Sequence, residues 1–314
     1  MHDLVTFGEV LLRLSVPPPG LIENSRQLDV QIGGAEANVA AACARLGLRV
    51  AWISAVPDNV WGSRVRREMC GHGVDCAQLV SVPGSRLGLY FLEYGATPRP
   101  IRILYDRRDS AFTQLTTDMV DWSCVRRARL VHVSGVTAAL GDNARSLIHR
   151  AIDEGEMISF DVNYRAALWS HDEAYAFAAS IVPRLNYFFL GQTEAGTVFR
   201  ENGPPESILE RLARLAPKAT IVLLQGRDGS TVLHEGKFWR PSVKPNVQLV
   251  DPIGAGDAWV AGFLWATLRG QSIQDAVDAG AIVAALKCST WGDIALISER
   301  DIHDVRAAGP DVLR

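Results

Sequence analysis

Short apolar, β-branched runs alternate along this chain with longer stretches whose apolar residues recur every three to four positions. The runs Leu4–Phe7, Val50–Val56, Leu130–Val133, Met157–Val162, Tyr187–Leu190 and Thr220–Leu224 predict strands. The helical spacing predicts helices over Ala35–Leu46, Gly62–Cys70, Asn143–Glu154, Asp172–Val182, Thr193–Arg200, Pro205–Leu215, Gly256–Leu268 and Ile273–Leu286. Strand–helix alternation of this kind predicts an α/β fold: an open, mainly parallel sheet with helices on both faces. Ligands of such sheets bind beyond the carboxyl ends of the strands. Asn163–Arg165, Glu194 and the 251–257 turn are each expected there, following strands.

Two segments break the alternation. Leu11–Val16 with Leu28–Ile32, and Leu87–Tyr94 with Ile101–Tyr105, have strand character and no helix between them. Gly95-Ala-Thr-Pro-Arg-Pro100 supplies turn chemistry for the second pair. These segments predict a small β-sheet set over the core, inserted over about residues 11–33 and 86–112 of a single domain spanning 1–314. The alternative is an excursion on the edge of one sheet. No internal repeat or low-complexity tract is present.

Composition adds exclusions. With 48% hydrophobic and 21% charged residues the chain reads as an ordinary globular protein, and a net charge of −3 gives no field for nucleic acid. No apolar run approaches the roughly 18–20 residues that span a bilayer. The start, Met1-His-Asp-Leu-Val-Thr-Phe, lacks the basic and apolar regions of a signal peptide, so the cytoplasm is expected. Cys43, Cys70, Cys76, Cys124 and Cys288 are odd in number and include no CxxC, which argues against a disulfide framework. Cys70, His72 and Cys76 are of metal-ligand type but lack a fourth ligand, and packing is the preferred reading.

The chemistry concentrates in Asp251-Pro-Ile-Gly-Ala-Gly-Asp-Ala-Trp-Val-Ala-Gly-Phe263. Gly254, Ala255 and Gly256 carry no bulky side chain, and an apolar helical pattern follows at once. Backbone N–H groups at the positive end of a helix make an anion hole suited to a phosphoryl group. Asp257 stands in the first turn of that helix. A carboxylate beside an anion hole repels what the hole binds, so general-base work on an attacking hydroxyl is its natural role. Helix capping is the plainer one. No Gly-Lys-Ser/Thr follows, which excludes a P-loop, and Trp259 stands where a dinucleotide fingerprint needs its third glycine.

Further clues lie elsewhere. Gly33-Gly34 precedes an alanine-rich helix carrying Asn38 one turn in, which suits close approach of a sugar hydroxyl or simply a tight turn. Tyr105 and Arg107 share a face by strand alternation, with Tyr90 on the partner strand, and an aromatic beside a guanidinium suits hydroxyls and a carboxylate. In Asp161-Val-Asn163-Tyr-Arg165 the arginine faces either a substrate carboxylate or a phosphoryl group, or forms a salt bridge with Asp161.

Asp251-Pro-Ile-Gly-Ala-Gly-Asp257 resembles the Asp-Thr-x-Gly-Ala-Gly-Asp signature of the ribokinase-like, phosphofructokinase-B type carbohydrate kinases. Gly33-Gly34-Ala-Glu-Ala-Asn38 resembles a second signature of that family, in the same order. Tyr105-Asp-Arg107, Ser134-Gly-Val-Thr137, Asp161-Val-Asn-Tyr-Arg165 with Leu168-Trp169, Gly88-Leu-Tyr90-Phe and Pro98-Arg-Pro100 are similar to its 2-keto-3-deoxygluconate kinase branch. The resemblance implies a ribokinase-like fold, ATP and Mg²⁺, and phosphorylation of a sugar or sugar acid at a primary hydroxyl. It implies Asp257 as base and Gly254, Ala255 and Gly256 as the anion hole. The sugar side would comprise Gly33, Gly34, Asn38, Tyr90, Tyr105, Arg107 and Arg165, with both arginines on a C1 carboxylate. The nucleotide side would comprise Asn163, Glu194, Gly226 and Gly229, with Glu194 holding hydrated Mg²⁺ through water. A monovalent cation near Asp251 is common in the family, although no residue here specifies one, and the small sheet, as a lid over the sugar site, often forms a homodimer contact.

The pattern departs in places. Gly191 replaces an asparagine, Leu224 a polar residue and Ile253 a threonine, while Trp291-Gly-Asp293 is atypical for the segment expected near adenine. These departures keep other readings open: a kinase of the same fold for fructose, another sugar or a nucleoside, or a non-catalytic sugar-acid binder.

Overall fold

A computed structural model describes residues 1–95 and 98–307. The strands are β1 (Leu4–Phe7), β2 (Leu11–Ser15), β3 (Asp29–Gly33), β4 (Val50–Pro57), β5 (Leu79–Val82), β6 (Gly88–Glu93), β7 (Arg102–Asp106), β8 (Leu130–Ser134), β9 (Ile158–Asp161), β10 (Tyr187–Gly191), β11 (Thr220–Leu224), β12 (Ser230–His234) and β13 (Lys237–Trp239). They form two sheets. The larger runs β13-β12-β11-β10-β9-β8-β1-β4-β5. It is parallel from β5 to β11 and closes on one edge with two antiparallel pairs. This is the expected α/β architecture.

Alternation along the strands feeds two cores. Val5, Phe7, Ile53, Val131, Val133 and Phe160 pack under the helices Asp142–Glu154, His171–Ile181 and Pro205–Ala213. On the opposite face, Leu4, Trp52, Leu130, Phe189 and Val222 pack against Ala35–Arg45, Ala255–Leu268 and Ile273–Cys288. Burial on both faces explains why the central strands read as continuous apolar runs. The helix Ala255–Leu268 is apolar on nearly every side because the sheet and two helices enclose it.

The smaller sheet, β3-β2-β6-β7, is the lid. Its two antiparallel pairs, β2 with β3 and β6 with β7, join through parallel β2–β6 pairing. Part of the 95–100 turn, Ala96 and Thr97, lies outside the described residues. The parallel strands diverge at β1, which connects to the neighbouring β4 on one side and lies beside β8 on the other. The lid leaves the core directly after β1 and returns through Gly33 into the helix Ala35–Arg45, which places it over this crossover crevice.

One positional expectation is overturned. The 251–257 turn follows no strand: residues 240–250 are irregular after β13. The turn is instead held by side chains from the lid and from the helix Ile273–Cys288.

Candidate active site

Gly254 adopts a left-handed conformation, φ +83°, and begins the helix Ala255–Leu268. A Cβ there would also collide with the main-chain oxygen of Asp293, so glycine is required twice over. The anion hole differs in detail from expectation. The Ala255 N–H donates to the Pro252 carbonyl at 3.2 Å, closing the turn, and so is not free. Among the described residues the N–H groups of Gly254, Gly256 and Asp257 make no hydrogen bond. Gly256 is exposed, and a Cβ on it would meet only open space.

Asp257 is partly buried at this helix start. Its Oδ2 accepts a hydrogen bond from Asn38 Nδ2 at 2.7 Å, and Asn163 Nδ2 lies 3.5 Å from Oδ1. Burial pushes its carboxyl up to about 6, against the opposing pull of the Asn38 bond and of Arg165. Asn38, expected on a sugar hydroxyl, gives one Nδ2 hydrogen to Asp257 and accepts the Gly34 N–H on Oδ1 at 3.4 Å. It positions the carboxylate.

Beyond β9 and β10 stand two more carboxylates. Asp161 accepts from the Asn163 N–H at 3.2 Å, and the turn that makes this possible holds Asn163 at φ +37°. Burial raises Asp161 well above the ordinary carboxylate range, with Glu194 and Asp257 adding to the effect. Glu194 caps its own helix through the Gly191 N–H at 2.7 Å and binds the Tyr164 N–H at 2.6 Å. Burial raises its carboxyl too. Arg165 lowers all three carboxyls and so lies among them. It does not form the alternative salt bridge with Asp161; its hydrogen bond goes to the Tyr164 carbonyl at 3.0 Å. Among the described residues it has no ion-pair partner.

Gly226 and Gly229, both at positive φ, bracket the exposed turn between β11 and β12. A bond of 3.1 Å from Gln225 Nε2 to Gln192 Oε1 ties that turn to the Glu194 helix, so both lie on one rim.

The lid side holds residues that local pattern did not single out. Tyr90 pairs with Tyr105 across β6 and β7, and Arg107 sits 5.7 Å over the Tyr105 ring, so the expected trio does converge. Arg107, however, is not a free cation. It is buried against Glu9, donating Nε to Oε2 at 2.8 Å and Nη2 to the same oxygen, while Ser110 Oγ binds Oε1. Glu9 follows β1 at the exit to the lid. Among the described residues Arg107 Nη1 makes no hydrogen bond.

Gly33 and Gly34 likewise make room for protein before ligand. A Cβ on Gly33 would strike Asp293 Oδ2 and the Tyr90 hydroxyl, and one on Gly34 the Glu9 carbonyl. Asp293, in the segment Trp291-Gly-Asp293 that departs from the family pattern, closes the lid–core junction. It accepts from Tyr90 OH at 2.6 Å and from Arg13 Nη1 at 2.6 Å. Arg13, wholly buried on β2, also donates Nη2 to Asp251 Oδ2 at 2.6 Å and to the Tyr94 hydroxyl at 3.1 Å. Trp291 packs edge-on against Tyr94. The described residues contain no cluster of three or more metal-binding side chains, Cys70–Cys76 included, and no helix long and apolar enough to cross a membrane.

The geometry combines open N–H groups at a helix start, a positioned carboxylate, a cation among acids and an aromatic–arginine wall in the lid. Known proteins resemble the chain over nearly its whole length. The model of the pfkB family carbohydrate kinases matches residues 1–300. A 2-dehydro-3-deoxygalactonokinase of Haloferax volcanii is 35% identical over 98% of this chain and 97% of its own. A 2-dehydro-3-deoxygluconokinase of Thermoproteus tenax is 31% identical over 98% and 95%. Among solved structures, the 2-dehydro-3-deoxygluconokinase of Thermotoga maritima superposes with a TM-score of 0.92 at 28% identity, covering 98% of this chain and 100% of that one. The chain belongs to the pfkB family of carbohydrate kinases.

Proposed function

We propose that this kinase transfers the γ-phosphoryl group of ATP to the C6 hydroxyl of a 2-keto-3-deoxy sugar acid, 2-keto-3-deoxygluconate in the first instance. The observation that carries the reading is Asp257, fixed by Asn38 beside the open N–H groups of Gly254 and Gly256. Asp257 takes the hydroxyl proton as the sugar oxygen bonds to the γ-phosphorus, and the bond to the β–γ bridging oxygen breaks with its electron pair leaving on ADP. The N–H groups stabilise charge developing on the transferring phosphoryl oxygens.

Arg165, unpaired among three acids, suits either the substrate carboxylate or the phosphoryl group. Arg107, oriented by Glu9, presents Nη1 to the C1 carboxylate, with Tyr90 and Tyr105 along the carbon chain and Gly33 and Gly34 at its hydroxyls. Neutral sugars need no such cations. ATP lies along Asn163, Glu194, Gly226 and Gly229. Among the described residues Asp161, Glu194 and Asp257 form no cluster that would hold a bare ion, and the carboxylates keep free lone pairs, which fits hydrated Mg²⁺ held through its waters. When bound, Mg²⁺ neutralises phosphate charge. Exposed Ile103 and Leu104 on the lid's edge strand β7 support a homodimer through the lid. The need for ATP and the five unpaired cysteines support a cytoplasmic setting.

The test is ADP release with Mg²⁺-ATP and a panel: 2-keto-3-deoxygluconate, its galacto epimer, fructose, ribose, gluconate and adenosine. Turnover of the keto acids alone is expected, and their ratio assigns the epimer. Preferential turnover of a neutral sugar or adenosine rejects the arginine assignments. Silence with thermal stabilisation by a sugar acid would make the protein a binder.

A further inference from the structure

The monovalent cation that the family resemblance brings to Asp251 meets residues that do not fit it. Asp251 is completely buried. Its Oδ1 accepts from the Tyr94 hydroxyl at 2.5 Å and the Ile253 N–H at 2.9 Å. Its Oδ2 accepts from Arg13 Nη2 at 2.6 Å and the Gly292 N–H at 3.1 Å. A carboxylate offers about four lone-pair sites, and all have donors. The Asp251 main-chain oxygen is also taken, by Lys287 Nζ at 2.8 Å, which lies 3.8 Å from Oδ1 as well. Thus each oxygen of Asp251 that an ion would draw on already faces a protein donor.

Lys287 is an unusual residue to find there. It comes from the last turn of the helix Ile273–Cys288 and is fully buried, a state lysine adopts only when paired. Two cations, Arg13 and Lys287, face two carboxylates, Asp251 and Asp293, so a further ion would leave buried charge uncompensated. The same helix end receives the Val250 and Asp251 N–H groups on the Cys288 carbonyl, at 2.8 and 3.1 Å. It therefore grips the irregular chain that delivers the phosphoryl-binding turn.

We propose that the Lys287 ammonium is a tethered substitute for a monovalent cation, so that this kinase holds its 251–257 turn and transfers phosphate without K⁺ or Na⁺. Lys287 is a positioning residue: it acts through Asp251 and the turn. Burial lowers its proton affinity, while Asp251 and Asp293 oppose that effect and favour the charged form. The proposal rests on the kinase reading.

The experiment compares initial rates with Mg²⁺-ATP and the best acceptor in KCl, NaCl and choline chloride at constant ionic strength. Rates within about twofold of one another are expected; severalfold activation by K⁺ overturns the proposal. In Lys287→Met, kcat in choline should fall at least tenfold with KM for the sugar little changed, and K⁺ or NH₄⁺ should restore part of it. Wild-type turnover of that variant in choline, or a loss that no cation rescues in a variant of native circular dichroism, also refutes it. Thermal melting of the wild-type chain supplies a readout independent of turnover. A melting temperature raised by K⁺ but not by choline refutes the ion-free site even if no acceptor is phosphorylated, whereas absence of ADP release in every salt refutes the kinase reading instead.

Discussion

Replacing Asp257 by asparagine separates the base from the scaffold around it. Both groups facing the carboxylate are amide donors: Asn38 Nδ2 at 2.7 Å and Asn163 Nδ2 at 3.5 Å. In Asp257→Asn the remaining oxygen turned toward Asn38 keeps the short bond, and the new NH₂ faces a contact already at the limit of hydrogen bonding. The change from a charged to a neutral acceptor weakens that one bond by about 1 kcal/mol. Removing a carboxylate that burial disfavours acts in the opposite direction. Sugar KM should therefore move by less than about tenfold, and the fold should melt at or above the wild-type temperature. Turnover loses its proton acceptor, an effect of about 10²–10⁴-fold, or roughly 3–5 kcal/mol of barrier. The N–H groups of Gly254 and Gly256 remain, so residual activity above background is expected. The assay is coupled ADP release with sugar varied at saturating ATP, beside a thermal melt. Turnover within about tenfold of wild type, with unchanged KM, would mean that the hydroxyl proton goes elsewhere.

Because burial lifts Asp257 to about 6, kcat/KM should fall as pH drops through that value and level off above it; an acid limb near pH 4 would contradict the assignment. The same shift means that folding favours protonated Asp257. Stability from this group is therefore lost as pH rises from about 4 through 6, and the melting temperature of Asp257→Asn should gain on wild type over that window. Arg107→Ala removes a carboxylate partner and leaves Glu9 as an uncompensated buried anion, so KM for a keto acid should rise at least tenfold with kcat little changed. Adding Glu9→Gln should recover part of that loss; an unchanged KM in the single variant would move Arg107 off the substrate. Arg13→Met strands Asp251 and Asp293 without their shared cation, and a loss of about 3–5 kcal/mol is expected in denaturant unfolding. A loss below about 1 kcal/mol would show that the junction does not depend on this pair.

The sequence by itself determined whatever is written in local spacing. The central strands and their helices were legible because residues buried on both faces of a parallel sheet are mostly apolar, and amphipathic helices repeat every turn. The open N–H groups and the carboxylate beside them were legible because one helix start builds them from consecutive residues, 254–257. Elements that local pattern left out are short or sparsely buried: β5, β12 and β13 are three to five residues long, and Glu299–Ala307 buries Ile302 alone. The arrangement of charge belonged to the tertiary structure. Asn38 meets Asp257 across 219 residues, Arg107 meets Glu9 across 98, and Arg13 meets Asp293 across 280. A glycine pair that reads as a ligand cradle also clears space for Asp293, Tyr90 and Glu9. An arginine that reads as a free carboxylate receptor is already oriented by an acid. No periodicity encodes such pairings, because a buried charge must find its counter-ion wherever the fold brings one, and only the packing of lid on core specifies where that is.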